Sequence, residues 1–103
     1  MTPRARVLAV LAALALAPGA PAAARQRAID IIRDCAPCHG DEGIARDAEV
    51  PHLAGQNERY LYDQLKAFRA GKRAHKEMKV MSRHMTEAEM EAIAAFYAGL
   101  PPR

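Results

Sequence analysis

The chain has 103 residues, half of them hydrophobic and 26% charged, with a formal charge of +3 and two cysteines. That length holds one small domain, and two cysteines exclude a disulfide-rich scaffold. The aromatic complement is thin, three Tyr, two Phe and no Trp, so a core built from side chains alone would be marginal.

Residues 1–24 read as an export signal. Arg4 and Arg6 form a positive start, Val7 to Ala17 an uncharged apolar run, and Ala22-Ala23-Ala24 a small-residue cleavage site. The apolar run falls short of the roughly 20 residues that span a bilayer, so no stable membrane insertion is expected after cleavage. Cleavage after Ala24 would leave residues 25–103 as one domain and lower the formal charge from +3 to +1 by removing Arg4 and Arg6. A charge so near neutral speaks against nucleic-acid binding. The expected location is the periplasm.

Arg27 to Asp34 carries Ala28, Ile29, Ile31 and Ile32, enough for a short helix. It leads into Cys35-Ala36-Pro37-Cys38-His39, the spacing of a covalent c-type haem attachment site. Two thiols each add to a vinyl group on neighbouring pyrrole rings, and the histidine that follows rises under the ring to the iron. Three other readings of these residues are weaker. A thioredoxin-type redox pair needs a preceding strand, and none is patterned here. Zinc needs a second ligand pair, which His52, His75 and His84 do not form. A plain Cys35–Cys38 disulfide leaves the adjacent histidine unexplained. One covalent haem c is the expected cofactor, and export agrees with it, because bacterial c-type haem is attached outside the cytoplasm.

From Ala36 to Gln56 there is little periodicity, with Pro37, Gly40, Gly43, Pro51 and Gly55 as punctuation. Asn57 can cap a helix through Ala70 that carries Leu61, Leu65 and Phe68 on one stripe and stops at Gly71. Thr86-Glu87-Ala88-Glu89 is a capping box. It opens a last helix with Met90, Ile93, Ala94 and Tyr97 at helical spacing, closed by Gly99 and Pro101. No strand, repeat or second domain is patterned, so the fold class is all-α.

An electron-shuttling haem has both axial positions filled, and methionine sulfur favours ferrous iron. Met78, Met81 and Met85 lie between the second and last helices, and His75 or His84 would give bis-histidine iron instead. Met85 sits just before the Thr86 cap, where an apolar residue packs back on its helix. Met90 belongs to the apolar stripe. Spacing alone leaves Met78 and Met81 open.

Taken in order, Cys35 to Gly40, Val50-Pro51-His52-Leu53-Ala54-Gly55-Gln56, Tyr60-Leu61, Gly71-Lys72-Arg73, Met78 and the Thr86 helix ending Ala94-Ala95-Phe96-Tyr97 resemble the small bacterial class I cytochromes c. The chain is most similar to one haem-bearing half of the periplasmic di-haem cytochromes and to cytochrome subunits of flavin-linked sulfide dehydrogenases. The resemblance implies a compact fold of about three main helices wrapped around one haem. It implies thioethers at Cys35 and Cys38, His39 as proximal ligand and Met78 as distal ligand, with Met81 as the fallback. It also implies that Pro51 packs by the proximal histidine while a nearby backbone carbonyl accepts its ring N–H. Two positions depart from the family, His52 where Asn is usual and Ala28 where Gly is usual. Neither removes a ligand, and His52 reads as a surface residue.

Lys66, Arg69, Lys72, Arg73, Lys76, Lys79 and Arg83 follow one another with only Glu77 against them. Such a run around the distal methionine would steer an acidic face of a redox partner to the haem edge. The leading expectation is an electron carrier that is not an enzyme by itself. The alternatives are a relay subunit of a flavoprotein dehydrogenase, and a gas-binding or peroxidase-type protein with an open sixth position.

Overall fold

Four helices account for the regular structure of the computed structural model, which describes residues 21–103: α1 (Ala22–His39), α2 (Glu58–Ala70), α3 (Lys76–Ser82) and α4 (Glu87–Ala98). The fold is all-α, with no strand among the described residues. Of the expected export signal, residues 1–20 lie outside the described residues.

The signals at the ends of α2 and α4 act as the residues dictate. Asn57 Oδ1 accepts the Tyr60 N–H at 2.9 Å, filling one of the helix's open donors. Gly71, at φ +75°, turns left-handed and lets the Lys72 N–H reach back to Ala67 O at 2.9 Å. At α4 the capping box closes both ways. Thr86 Oγ1 accepts the Glu89 N–H at 3.1 Å, and Glu89 Oε1 accepts the Thr86 N–H at 2.9 Å.

Helix α1 extends beyond 27–34 at both ends and takes in the whole 35–39 motif. Pro37 sits in the last turn and has no N–H for the Arg33 carbonyl, so the helix gives up one bond of its ladder there and still runs on to His39. Gly40 then ends the helix at φ +86°, its N–H bonded to Ala36 O at 2.9 Å. A side chain at Gly40 would run into the Ile44 carbonyl oxygen. Helix α3 is not patterned in the sequence. Its seven residues are capped by His75, whose Nδ1 accepts the Met78 N–H, an uncommon cap that no simple rule anticipates.

Helix α4 packs against α1 on one side and α2 on the other, while α3 packs on α2. Ala28, Leu61, Leu65, Met85, Met90, Ile93, Ala94 and Tyr97 form the buried cluster between them. Met85 and Met90 are thus packing residues. Burying each large apolar side chain stabilises the fold by roughly 1.5–3 kcal/mol. Ala28 and Ala94 are the small members of the cluster, on the two helices that cross. Beside that crossing, Arg27 Nε meets the buried Glu89 Oε2 at 3.2 Å.

Candidate cofactor site

Because the 35–39 motif is helical, Cys35, Cys38 and His39 stand at i, i+3 and i+4 on one side of α1. Cys35 is half-buried, Cys38 exposed, and both are free thiols, so no disulfide joins them. His39 is buried at 8% exposure. Its Nδ1 lies 2.9 Å from Pro51 O. A carbonyl can only accept, so Nδ1 carries the hydrogen and Nε2 keeps its lone pair.

The loop that presents the Pro51 carbonyl is tied down on three sides. Gly43 O accepts the N–H groups of Leu53 at 2.8 Å and Ala54 at 3.0 Å. His52 is exposed, yet its Nδ1 accepts the Ala45 N–H at 2.9 Å, which fastens the loop across itself. The Gly55 N–H reaches Tyr97 O at 3.0 Å and holds the far end against α4.

Met78 is held at both backbone ends. Its N–H goes to His75 Nδ1 at 3.2 Å, and its carbonyl accepts the buried Ser82 hydroxyl at 2.8 Å. Its half-buried side chain packs against the same core as Cys35 and Leu53. Met81 is half-buried too, but is not among the described residues packed on that cluster. His75 spends Nδ1 on the α3 cap, and its ring lies edge-on to Phe68 with centroids 6.1 Å apart. His84 is exposed.

Burial pushes the Cys35 thiol up from its ordinary value, the Tyr97 hydroxyl beside it pulls the other way, and the charges of Asp34 and Cys38 add smaller upward pushes. Its Sγ sits 3.4 Å from Ile31 O, to which the thiol donates. Burial also holds the Tyr97 phenol well above the usual tyrosine range. The Tyr97 hydroxyl is the one buried side-chain polar atom among the described residues without a hydrogen-bond partner.

Around Met78 the surface is basic. Lys72, Arg73, Lys76, Lys79 and Arg83 are exposed, and among the described residues no carboxylate pairs with them. Lys66 and Arg69 share Glu87, at 3.7 and 3.5 Å. Arg73 bonds Gln64 and lies 4.6 Å over the Phe68 ring. The basic run is therefore a surface whose inner end is half-neutralised by Glu87 and whose outer part is open.

Two thiols and an imidazole with a free Nε2 on one helical side are a donor set that fits a haem held covalently and through iron. Among the described residues no group of three or more His, Cys, Asp or Glu side chains assembles to hold a bare metal ion, which leaves the zinc reading without ligands. Nor is any helix among them long and apolar enough to cross a membrane. Sequence reasoning missed the His75 cap, the Ser82 bond to Met78, the Arg27–Glu89 pair and the Tyr97 hydroxyl. Each depends on what a side chain meets after folding. Only the capping box, which already singled out Glu89, gave a partial signal.

The profile of the cytochrome c family matches residues 23–100. A thiosulfate dehydrogenase electron acceptor of Thiomonas intermedia is 39% identical over 104 residues, covering 97% of this chain and 46% of that protein. Cytochrome c4 of Pseudomonas aeruginosa is 38% identical over 64 residues, covering 62% and 32%. The chain thus spans less than half the length of these relatives. Among solved structures, reduced cytochrome c4 from Pseudomonas stutzeri superposes with a TM-score of 0.66 at 27% identity, over 81% of this chain and 51% of that one. Cytochrome c4 of Acidithiobacillus ferrooxidans gives 0.62 at 35% identity, over 64% and 38%.

Proposed function

The chain belongs to the cytochrome c family, and we propose that it is an exported, periplasmic electron carrier whose single covalent haem c is held by Cys35, Cys38, His39 and Met78. Bound there, the group supplies a one-electron ferric–ferrous couple. The observation that carries the reading is the 2.9 Å bond from His39 Nδ1–H to Pro51 O. It selects the tautomer in which Nε2 keeps the lone pair that would bind iron, and it raises the basicity of that nitrogen. Cys35 and Cys38 anchor the ring from the same helical side. Met78, braced by His75 and Ser82, would supply the second protein ligand and close the iron to small molecules. A filled sixth position favours electron transfer over gas binding or peroxidase chemistry.

The test is the absorption of the oxidised protein in the far red, where ferric iron bound to methionine sulfur gives a weak charge-transfer band. Wild type shows the band, Met78→Ala loses it, and Met81→Ala keeps it. Loss in Met81→Ala alone moves the ligand to Met81, and absence from wild type sinks methionine ligation.

The partner reading follows from the surface and the relatives together. The exposed basic side chains around Met78 fit an acidic face of a redox protein. Two relatives are named as electron acceptors of thiosulfate dehydrogenase, which supports a donor that oxidises a reduced sulfur compound. A fixed-subunit role has one observation behind it. Half-exposed Ile29 and Phe96 line a groove of about 810 Å³ with Ile32 and Tyr62, apolar surface that a freely diffusing carrier leaves wet.

A further inference from the structure

Tyr97 is 1% exposed, and its hydroxyl makes no hydrogen bond. A buried hydroxyl left unpaired is costly, so each one in a folded protein needs an explanation. Its backbone is fully used: the carbonyl accepts from Gly55 at 3.0 Å and from Leu100 at 3.2 Å. The ring is fixed as well, in edge contact with Phe96 at 5.0 Å and against the space beside Gly43. The hydroxyl therefore has little freedom to seek water, and its neighbour in the cluster is the Cys35 thiol.

As a free thiol, Cys35 already donates its hydrogen to Ile31 O. A thioether changes that balance. Addition of Sγ–H across a vinyl double bond puts carbon on the sulfur and the thiol hydrogen on the vinyl's outer carbon, with no net oxidation. The sulfur then has no hydrogen to donate and can only accept. Tyr97 carries the one unspent donor beside it.

We propose that Tyr97 is a positioning residue for the cofactor, its hydroxyl donating to the Cys35 sulfur once that sulfur is a thioether. The proposal rests on the site assigned above. It accounts for a tyrosine at a position where phenylalanine would fill the same apolar space without an unpaired oxygen. The bond would hold the Cys35 thioether next to the buried core, while the exposed Cys38 sulfur has no such partner among the described residues. The raised phenol value agrees with a hydroxyl that stays protonated and remains a donor at every working pH.

The experiment compares haem-loaded wild type with haem-loaded Tyr97→Phe. Denaturation followed by intact mass comes first: haem that separates from the chain overturns the thioether site, and the proposal with it. With haem retained on the chain, the reduced, diamagnetic protein is examined by proton NMR. The expected result is a slowly exchanging Tyr97 hydroxyl proton with a cross-peak to the thioether protons of Cys35. In parallel, Tyr97→Phe should raise the unfolding equilibrium constant about five-fold, as loss of one internal hydrogen bond does. A hydroxyl proton in fast exchange with solvent, or a phenylalanine variant as stable as wild type or more so, overturns the Tyr97 bond while leaving the site intact. If the variant does not load, the wild-type proton spectrum decides alone.

Discussion

At the scale of single residues, the Pro51 carbonyl fixes which nitrogen His39 presents, and Glu89 shows how one carboxylate can serve two structures. Glu89 closes the α4 capping box and meets Arg27 of α1 at 3.2 Å. The Thr86 backbone N–H holds its carboxyl below the ordinary value of 4.5, with the Thr86 hydroxyl and Arg27 adding and burial opposing. A depressed carboxyl stabilises the fold only while ionised. Its contribution is complete above the unfolded value near 4.5 and is lost as pH falls through the lower folded value. Unfolding midpoints in denaturant should therefore drop as pH falls below about 4.5, where other carboxylates also protonate. Glu89→Gln should be less stable at pH 7 and lose less on acidification. An acid limb as steep as wild type would remove Glu89 from this role.

At the scale of elements, the ends of the helices place the site. Helix α1 must run on through Pro37 and stop at Gly40, or Cys35, Cys38 and His39 would not share a side. Helix α4 must start at Thr86 so that Tyr97, in its last turn, reaches Cys35 and Gly55. Thr86→Ala removes the acceptor for the Glu89 N–H and should cost about 1 kcal/mol, whereas Thr86→Ser should stay close to wild type. Chemical denaturation of the haem-loaded protein reads both. Helix α3 is the element with the least of its own to hold it, seven residues with Ser82 as its buried member. It carries Met78, the proposed distal ligand, and Arg69 ties down the chain beyond it through Met85 O at 2.9 Å.

At the scale of the molecule, charge is segregated. Asp30, Asp34, Asp41, Glu42, Asp47 and Glu49 outnumber the four arginines within residues 25–50, while Lys72, Arg73, Lys76, Lys79 and Arg83 gather around α3. Steering by such a surface acts on encounter and is screened beyond a Debye length of about 8 Å at physiological salt. Electron transfer with an acidic partner should slow steeply as salt rises. Replacing Lys72, Lys76 and Lys79 together with Glu should slow the bimolecular rate about ten-fold or more at low salt while leaving the far-red band in place. Rates independent of salt in stopped-flow mixing would show that the basic surface is only solvated. The four elements pack on a core with few aromatics, and a covalent haem adds the apolar mass that this small domain lacks.

The sequence by itself determined what local chemistry can carry. Cys35, Cys38 and His39 are neighbours along the chain, so their spacing states the cofactor class. The caps at Asn57 and Thr86, the stop at Gly71 and the stripes of α2 and α4 are all written within a few residues of where they act, which makes the all-α class legible. Tertiary structure alone decided the contacts between distant positions. Arg27 meets Glu89 across whole helices, and no periodicity encodes such a pair, while the contact of Pro51 with His39 was implied by the family resemblance and not by any pattern along the chain. The same holds for Met78 packing on the core, which spacing could not separate from Met81. The Tyr97 stripe position marks burial of the ring, but only the packed fold brings its hydroxyl to a sulfur. A side chain's direction is local, whereas its partner depends on how the elements close on one another.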